Sequence, residues 1–262
     1  MYNAYDFTFA GVPASTYGLA LCDIGSKKHN ANAFGNVANI VDERVSGRIK
    51  PLHFGVNYHE KPLTFHLIFA SEKYLDRYDM QRVAMWLTGY QQYQWLTIHQ
   101  PDMAHIQFRC LVQKLTPIHV GWFPVAFEAE VVCDCPYGYS FPFKETLSPG
   151  TTMFFNDSSC HETLRPSMKI DVAAGCTSLS ITNKSNGNKV FSFTGLPGGA
   201  LTILVDNENC IIEETKERLD GIYDYFDFQN GFLELVPGNN ELVVSGDVSI
   251  EMTGRFMYNV GS

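Results

Sequence analysis

Residues 123–139 read FPVAFEAEVVCDCPYGY and combine a regular alternation with an abrupt end. Apolar side chains from Val125 to Cys133 share one parity, while Glu128, Glu130 and Asp134 share the other. This period of two is typical of a strand with one buried face. Proline cannot donate to a strand ladder, so we expect Pro136 to end the strand. The stretch therefore predicts the last strand of one domain, followed by a hinge.

The length of the chain and its composition predict a mainly β protein with two domains. At 262 residues the chain exceeds the ~100–200 residues of a typical domain. Aromatic residues make up 13% of the sequence, and helix-forming runs are few. We predict an N-terminal β domain with one helix over residues 1–139, a linker over 140–166 and a C-terminal β-sandwich over 167–262.

Charge is divided unevenly between the two halves. Residues 1–140 carry a net charge of −1 and residues 141–262 a net charge of −8. Because tight binding to nucleic acid depends on Lys and Arg neutralising phosphates, a total of −9 argues against it. Nucleic acid that passes nearby without specific binding remains compatible with this charge.

Seven cysteines without a compact spacing pattern are unlike a secreted disulfide framework. The N-terminal residues do not have the basic-then-apolar pattern of a signal peptide, and the longest apolar runs fall well short of the ~18 residues of a membrane span. We therefore expect synthesis and folding in a reducing cytosol, with no membrane partner.

The first half contains a single convincing helix between strands. Asp79 is a candidate N-cap, and Val83, Trp86, Leu87 and Tyr90 follow at helical spacing. We expect the Trp86 face to pack on a sheet. The strand around Ile106–Val112 should pair antiparallel with the opening stretch, through a loop or distorted hairpin at residues 114–122.

A segment rich in asparagine and glycine, residues 25–47, permits two interpretations. Connections of this length are usually either functional or disordered. The segment is a mobile surface loop, or it is an arm whose apolar residues become buried only against a neighbouring subunit. The candidate interface residues of such an arm are Asn30, Phe34, Val37, Ile40 and Val45.

The second half predicts a β-sandwich of about eight strands with short turns. Asn186-Gly187 lies between two alternating runs and predicts a hairpin. A single long strand is expected over residues 248–260. The prolines, glycines and asparagines of residues 140–166 predict a linker that wraps around the domain without packing into it.

Motifs for catalysis and metal binding are incomplete. His161-Glu162 begins a zinc-protease motif, but Arg165 stands where the second histidine belongs. Cys133, Cys135, Cys160 and His161 could gather around zinc, although inward parity favours Cys133 as a small buried side chain. The carboxylates of Asp220, Asp224 and Asp227 have a spacing faintly like that of a calcium loop, with aromatic residues between them that fit a solvated acidic loop better. Phosphate-binding, nucleophile-elbow and dinucleotide motifs were not found. We expect no enzymatic activity, cofactor or metal.

Four segments in order resemble the distal tail protein (Dit) family of long-tailed bacteriophages, over nearly the whole chain. The four segments are Tyr5–Val12, the run from Pro62 through Asp79 to Leu87, the stretch 123–139 with Asp134-Cys135-Pro136-Tyr137 near its end, and Gly231–Asn240.

The resemblance implies a structural protein of the virion tail tip, made and assembled in the bacterial host cytoplasm. Its N-terminal domain would form a hexameric ring around the DNA channel, with DNA passing through unbound. Its C-terminal domain would be a galectin-like β-sandwich projecting outward. The ring would join the tail tube protein to the tail-associated protein and the receptor-binding apparatus for host adsorption. Residues 25–47 would be the arm that clasps a neighbouring subunit.

A second hypothesis is a carbohydrate-binding protein whose sandwich recognises cell-surface glycans, such as those of a cell wall. Its candidate contacts are the aromatic residues Tyr223, Tyr225 and Phe226, which are expected to be exposed. The two hypotheses do not exclude each other, because the sandwich of a tail hub could also bind a sugar.

Overall fold

A computed structural model describes residues 6–25, 38–58, 62–101, 103–215 and 221–260. It has the mainly β architecture with one α-helix that the sequence predicts. The chain divides into two compact units. Unit 1 extends to Tyr139 and resumes at Tyr258, and unit 2 covers Ser140–Met257.

Unit 1 is built on a nine-stranded sheet with one helix and a separate two-stranded sheet. Its elements are β1 (Phe7–Phe9), β2 (Val12–Pro13), β3 (Leu19–Gly25), β4 (Ala38–Glu43), β5 (Leu52–Tyr58), β6 (Thr64–Ser71), α1 (Arg77–Thr88), β7 (Gln94–Ile98), β8 (Ile106–Val120), β9 (Phe123–Cys133) and β10 (Gly138–Ser140), with β20 (Met257–Tyr258) late in the chain. The main path of the large sheet is β2-β1-β7-β8-β9-β6-β3, and β10 pairs with β8 and β20. The pairings of β1 with β7, β8 with β9 and β9 with β6 are antiparallel.

The opening stretch forms β9, which lies between β8 and β6. Phe127, Ala129, Val131 and Cys133 are buried on one face of the strand, as their parity predicts. The predicted antiparallel pairing with β8 is also present. The connection is a distorted hairpin, because β8 continues to Val120 and its register against β9 shifts twice. Only Gly121 and Trp122 form the turn.

Helix α1 packs its Trp86 face on the sheet, as predicted. Trp86 is stacked on Phe7 and Tyr17, with ring centroids 5.7 and 4.7 Å apart. Its indole Nε1 donates a hydrogen bond to the Phe9 carbonyl oxygen at 3.1 Å. The predicted N-cap was wrong by one turn: Asp76 is the N-cap, and Asp79 at the third helical position completes a capping box with it.

Unit 2 is a sandwich of two antiparallel sheets, as the sequence predicts. Its strands are β11 (Phe143–Leu147), β12 (Gly150–Asn156), β13 (Ser167–Val172), β14 (Ser178–Asn183), β15 (Lys189–Thr194), β16 (Leu201–Asp206), β17 (Ile211–Glu214), β18 (Gly238–Ser245) and β19 (Val248–Gly254). One sheet has the order β11-β19-β13-β16-β17 and the other β12-β18-β14-β15. The hairpin predicted at Asn186-Gly187 joins β14 to β15. Ile170, Ile203 and Ile250 from one sheet share a core with Ile181 and Leu242 from the other.

The linker prediction for residues 140–166 was wrong. β11 pairs with β19 in one sheet and β12 pairs with β18 in the other, so this segment contributes a strand to each layer. Pro149 and Gly150 mark the crossing between the sheets. Phe154 is buried in the core of the sandwich, and that burial explains why the segment packs instead of wrapping.

The single strand predicted over residues 248–260 is divided in two. β19 ends at Gly254, where an added Cβ would stand 2.9 Å from the Phe143 ring, so the close packing requires glycine. β20 follows after Arg255 and Phe256, and residues from Tyr258 onward belong to unit 1. In that unit Val260 approaches Gly138 so closely that a Cβ there would stand 2.9 Å from its side chain. The C-terminal sandwich boundary predicted at 262 therefore extends too far.

Four buried asparagines, Asn156, Asn183, Asn207 and Asn240, tie down the segment that precedes β18. Asn240 Oδ1 accepts hydrogen bonds from the Val236 N–H and from Asn183 Nδ2, both at 2.9 Å. Asn240 Nδ2 donates to the carbonyl oxygens of Val236 and Gly238. Because buried backbone groups need partners, these side chains take the place of a strand ladder for an irregular segment.

Truncation of Asn240 is expected to destabilise unit 2. The substitution Asn240→Ala leaves the Val236 N–H without a partner and removes one of the two hydrogen bonds that Asn183 Nδ2 donates, at a cost of roughly 1–3 kcal/mol in unfolding free energy. Urea unfolding followed by circular dichroism measures it. The exposed neighbour Asn239 is the matched control, and Asn239→Ala should cost less than about 0.5 kcal/mol. Equal effects of the two substitutions contradict the role of Asn240.

A second expectation concerns acid. The Lys189 ammonium at 2.6 Å and the Arg165 guanidinium at 2.8 Å hold the pKa of Glu234 below its ordinary value of 4.5. A carboxylate with a lowered folded-state pKa stabilises the fold above its ordinary pKa, and this contribution is lost as the pH falls below 4.5. Urea unfolding from pH 7 to pH 3 should therefore show Glu234→Gln less stable than the parent at pH 7, with a gap that narrows on acidification. The exposed Glu145, changed to Gln, is the control; a gap independent of pH contradicts the expectation.

Candidate functional site

The hairpin of β4 and β5 is the part of unit 1 that departs from the large sheet. In the described part of the chain these strands pair with each other in a two-stranded sheet, with Ile40 opposite Val56. A two-stranded hairpin alone is at best marginally stable in water. We therefore expect the hairpin to pack against a further surface.

Apolar side chains on this hairpin face solvent. Ile40 is 67% exposed, and Ile49 in the connecting turn and Phe54 on β5 are exposed as well. Of the predicted arm residues, Ile40 lies on β4 and Val45 just after it, both exposed, whereas Asn30, Phe34 and Val37 lie outside the described residues. We call residues 38–58 the arm hairpin. Several exposed apolar side chains on one short hairpin favour a surface that binds another protein.

A second exposed apolar surface lies at the tip of the β8–β9 hairpin. Trp122 in the turn is 94% exposed, and Val120 and Phe123 beside it are largely exposed. The Phe123 ring contacts the exposed Tyr74, with centroids 4.8 Å apart. We call Val120, Trp122, Phe123 and Tyr74 the tip surface. This surface was not predicted from the sequence, although a tryptophan next to a turn glycine beyond the alternating region was a usable signal.

The aromatic residues proposed for glycan contact divide into exposed and buried ones. Phe226 is 5% exposed and packs between Phe191 and Phe193. Its expected exposure was therefore wrong, because its backbone bridges to Phe193 and turns the ring into the sandwich. Tyr225 packs partly against the same core. Tyr223 is 38% exposed and lies parallel to the exposed ring of Phe228 at 6.1 Å.

Cysteines and carboxylates lie together at the end of β9 in unit 1. Burial raises the pKa of the Cys135 thiol to about 12, and its sulfur lies 3.1 Å from the Tyr139 hydroxyl. That hydroxyl donates a hydrogen bond to the Asp134 carboxylate. The same carboxylate forms an ion pair with Arg109, with Nη1 and Oδ2 3.6 Å apart. Burial likewise raises the pKa of Tyr139. A protonated thiol and a protonated phenol form a packing network, with no activated nucleophile.

The zinc arrangement considered for Cys133, Cys135, Cys160 and His161 is not assembled. Among the described residues, no group of three or more His, Cys, Asp or Glu side chains is placed to hold a metal ion. Cys133 is buried in unit 1 as a small apolar side chain. Over the same described ranges, no helix has both the length and the apolar character needed to cross a membrane.

Comparison with known protein families finds a match over unit 1. A family model described as the phage tail protein N-terminal domain matches residues 2–135, about half of the chain. The chain belongs to this phage tail protein family. The match covers β1 to β9 and includes the arm hairpin and the tip surface. It ends at Cys135, next to the proline that closes the opening stretch.

Solved structures extend the likeness of this phage tail protein to both units. The crystal structure of the Dit protein (gp 19.1) of phage SPP1, described as a paradigm of the hub adsorption apparatus in phages that infect Gram-positive hosts, superposes with a TM-score of 0.69 at 12% identity. It covers 97% of this chain and 100% of the SPP1 protein. A chain of the phage P2 baseplate, in its activated conformation with Ca, superposes with a TM-score of 0.50 at 10% identity, covering 90% of each chain. At these identities the likeness establishes the fold of a distal tail protein. No curated protein sequence matches the chain.

Proposed function

We propose that this phage tail protein is a structural hub of the tail tip. It forms a ring that joins the tail tube protein to the tail-associated protein and the receptor-binding apparatus. The family match of unit 1 and the distal tail fold of the whole chain support this role. The role requires no catalysis, which fits the protonated thiol and phenol at the end of β9.

The arm hairpin is the observation that carries the proposal. Exposure of the apolar side chains of Ile40, Ile49 and Phe54 to water is unfavourable. A two-stranded sheet also becomes more stable when another surface covers it. In the proposed ring the arm hairpin of one copy lies against the neighbouring copy. Each apolar side chain buried there contributes about 1.5–3 kcal/mol at most, so three or four such residues are enough to matter for assembly.

A ring requires two different surfaces on each copy. A contact between unlike patches is head-to-tail, and such contacts close into a ring when the rotation between copies allows it. Unit 1 carries two distinct apolar surfaces, the arm hairpin and the tip surface, which meets this requirement. The number of six copies and the central DNA channel come from the resemblance to distal tail proteins.

The charge of residues 1–140 suits a channel through which DNA moves. A net charge of −1 offers little attraction for phosphates, so a passing duplex would not be held. Assembly in the bacterial host cytoplasm fits a fold in which none of the seven cysteines is joined in a disulfide. The mature location is then the tail tip of the virion.

Ring formation through the arm hairpin can be tested by electron microscopy of the purified full-length chain at high concentration. The parent protein is expected to form rings with a central hole. The double substitution Ile40→Ser with Phe54→Ser should abolish the rings while circular dichroism and thermal unfolding stay within error, because both side chains are exposed.

The matched control is Phe155→Ser, which removes an exposed aromatic side chain from β12 of unit 2. This variant should form rings like the parent. Rings that survive the double substitution contradict the role of the arm hairpin. A parent protein that stays monomeric at every concentration, and also fails to form rings with its tail tube protein, contradicts the hub.

A glycan-binding role for unit 2 is a second candidate, favoured by the parallel rings of Tyr223 and Phe228. Exposed aromatic faces are a common platform for sugar rings, although the Tyr223 hydroxyl is already used, accepting a hydrogen bond from the Ile212 N–H at 2.8 Å.

If the candidate is correct, the full-length chain will be retained on host cell-wall polysaccharide, and Phe228→Ser will lower retention at least tenfold. Phe155→Ser again serves as the control and should bind like the parent. Retention that is unaffected by Phe228→Ser, or absent in the parent, argues against this candidate and leaves the hub untouched.

A further inference from the structure

Two cysteines of unit 1 face each other across the central pair of strands. Cys110 on β8 and Cys133 on β9 are directly opposite in the antiparallel register. Both side chains are buried, at 0% and 1% exposure. The sequence separates them by more than twenty residues, so only the fold brings them together.

The hydrogen bonds around the pair define its geometry. The Asp134 N–H donates to the Arg109 carbonyl oxygen at 2.9 Å, which makes the adjacent position a hydrogen-bonded pair. The Cys133 N–H points the other way and donates to the Leu63 carbonyl oxygen at 2.8 Å. Cys110 and Cys133 therefore occupy a non-hydrogen-bonded site, where Cα atoms are about 4.5 Å apart and side chains are closest.

This geometry is compatible with a disulfide. Disulfides join residues whose Cα atoms are roughly 4.4–6.8 Å apart, and the non-hydrogen-bonded spacing falls at the short end of that range. The thiols already interact: hydrogen bonding with Cys133, followed by burial, raises the pKa of Cys110. Both are reduced in this structure.

We propose that Cys110 and Cys133 form a cross-strand disulfide when the folded protein meets a small peroxide outside the reducing cytosol. One thiol sulfur attacks hydrogen peroxide, giving a sulfenic acid and water. The opposite thiol then attacks that sulfur, forming the S–S bond and releasing a second water. Two thiols are oxidised and one peroxide is reduced to two waters.

A peroxide suits this site better than a bulky disulfide reagent, because the buried sulfurs leave no room for a mixed disulfide with a large partner. The raised pKa of Cys110 disfavours its thiolate, so the reaction is slow in the folded chain. The disulfide therefore accumulates slowly outside the cell, and the cysteine pair does not act as a fast redox sensor.

The register directs the oxidation to this pair. Cys135, two residues along, turns its sulfur toward the Tyr139 hydroxyl and the Tyr137 carbonyl oxygen. Cys22 and Cys210 are exposed, and Cys210 belongs to unit 2. The disulfide closes a covalent loop over residues 110–133, which includes Val120, Trp122 and Phe123 of the tip surface. It therefore limits fraying of a hairpin whose register shifts twice.

The pairing is a property of the sheet in unit 1 and does not depend on ring assembly. Only the setting, a virion that leaves its host, rests on the proposed function. Failure of the chemistry below leaves the microscopy of rings unaffected, and failure of the rings leaves the cross-link testable in the monomer.

The test treats the reduced full-length chain with hydrogen peroxide under native conditions and blocks the remaining thiols in denaturant. Trypsin digestion without reductant is followed by mass spectrometry. Cleavage after Arg109, Lys114 and Lys144 should give residues 110–114 joined to residues 115–144, with a loss of two hydrogens. The oxidised protein should also unfold at a Tm roughly 5–10 °C higher than the reduced one.

Matched variants separate the two cysteines of the larger peptide. Cys135→Ala should keep the cross-link and the Tm increase, whereas Cys133→Ala and Cys110→Ala should lose both. Because alanine in the core could impair folding, the fragment spectrum of the parent peptide independently assigns the bond to Cys133 or Cys135. A bond to Cys135, no bond at all, or a bond that forms only in denaturant overturns the proposal.

Discussion

The double-sided pairing of β9 is the constraint on which unit 1 depends. Both edges of this strand are hydrogen-bonded, to β8 on one side and to β6 on the other, and one of its faces supplies the core with Phe127, Ala129 and Val131. A shift of one residue would bury Glu128 and Glu130 in place of these apolar side chains. The register of β9 is therefore strongly determined, and it sets how β8 and β6 pair on either side. That register also places Cys110 opposite Cys133.

Unit 2 is subject to a different constraint: part of its chain is irregular yet buried, so its backbone groups need hydrogen-bond partners outside a strand ladder. The segment before β18 lacks strand partners over much of its length, and the amides of Asn156, Asn183, Asn207 and Asn240 supply the missing donors and acceptors. Buried polar networks of this kind are costly when incomplete and rigid when satisfied. The aromatic cluster of Phe191, Phe193 and Phe226 lies beneath the same region. Phe228 lies on the surface against Phe226, with ring centroids 5.0 Å apart.

Local patterns predicted the regular parts of this fold well. The parity of the opening stretch, the Trp86 helix and the Asn186-Gly187 hairpin all depend on neighbours within a few residues, and each is present. The failures depend on distant partners. β11 and β12 form strands because β19 and β18 lie alongside them, and Phe226 is buried because Phe191 and Phe193 surround it. Asp76 and Asp79 are both suitable N-cap residues and lie one turn apart, so the sequence alone does not show which of them begins the helix. Of the predicted arm, Ile40 and Val45 are described and exposed, whereas the tip surface came only from the structure.

The return of the chain to unit 1 after β19 has a consequence for biosynthesis. Residues from Tyr258 onward leave the ribosome only after the entire sandwich has been translated, yet they complete the edge of a sheet begun by the first strands. Gly138 packs against Ile106 and Phe108 of β8, and Val260 completes its surroundings from the end of the chain. Unit 1 is thus finished last, although its strands are made first. The pairing of β10 with β20 therefore cannot form until the whole of unit 2 has been translated.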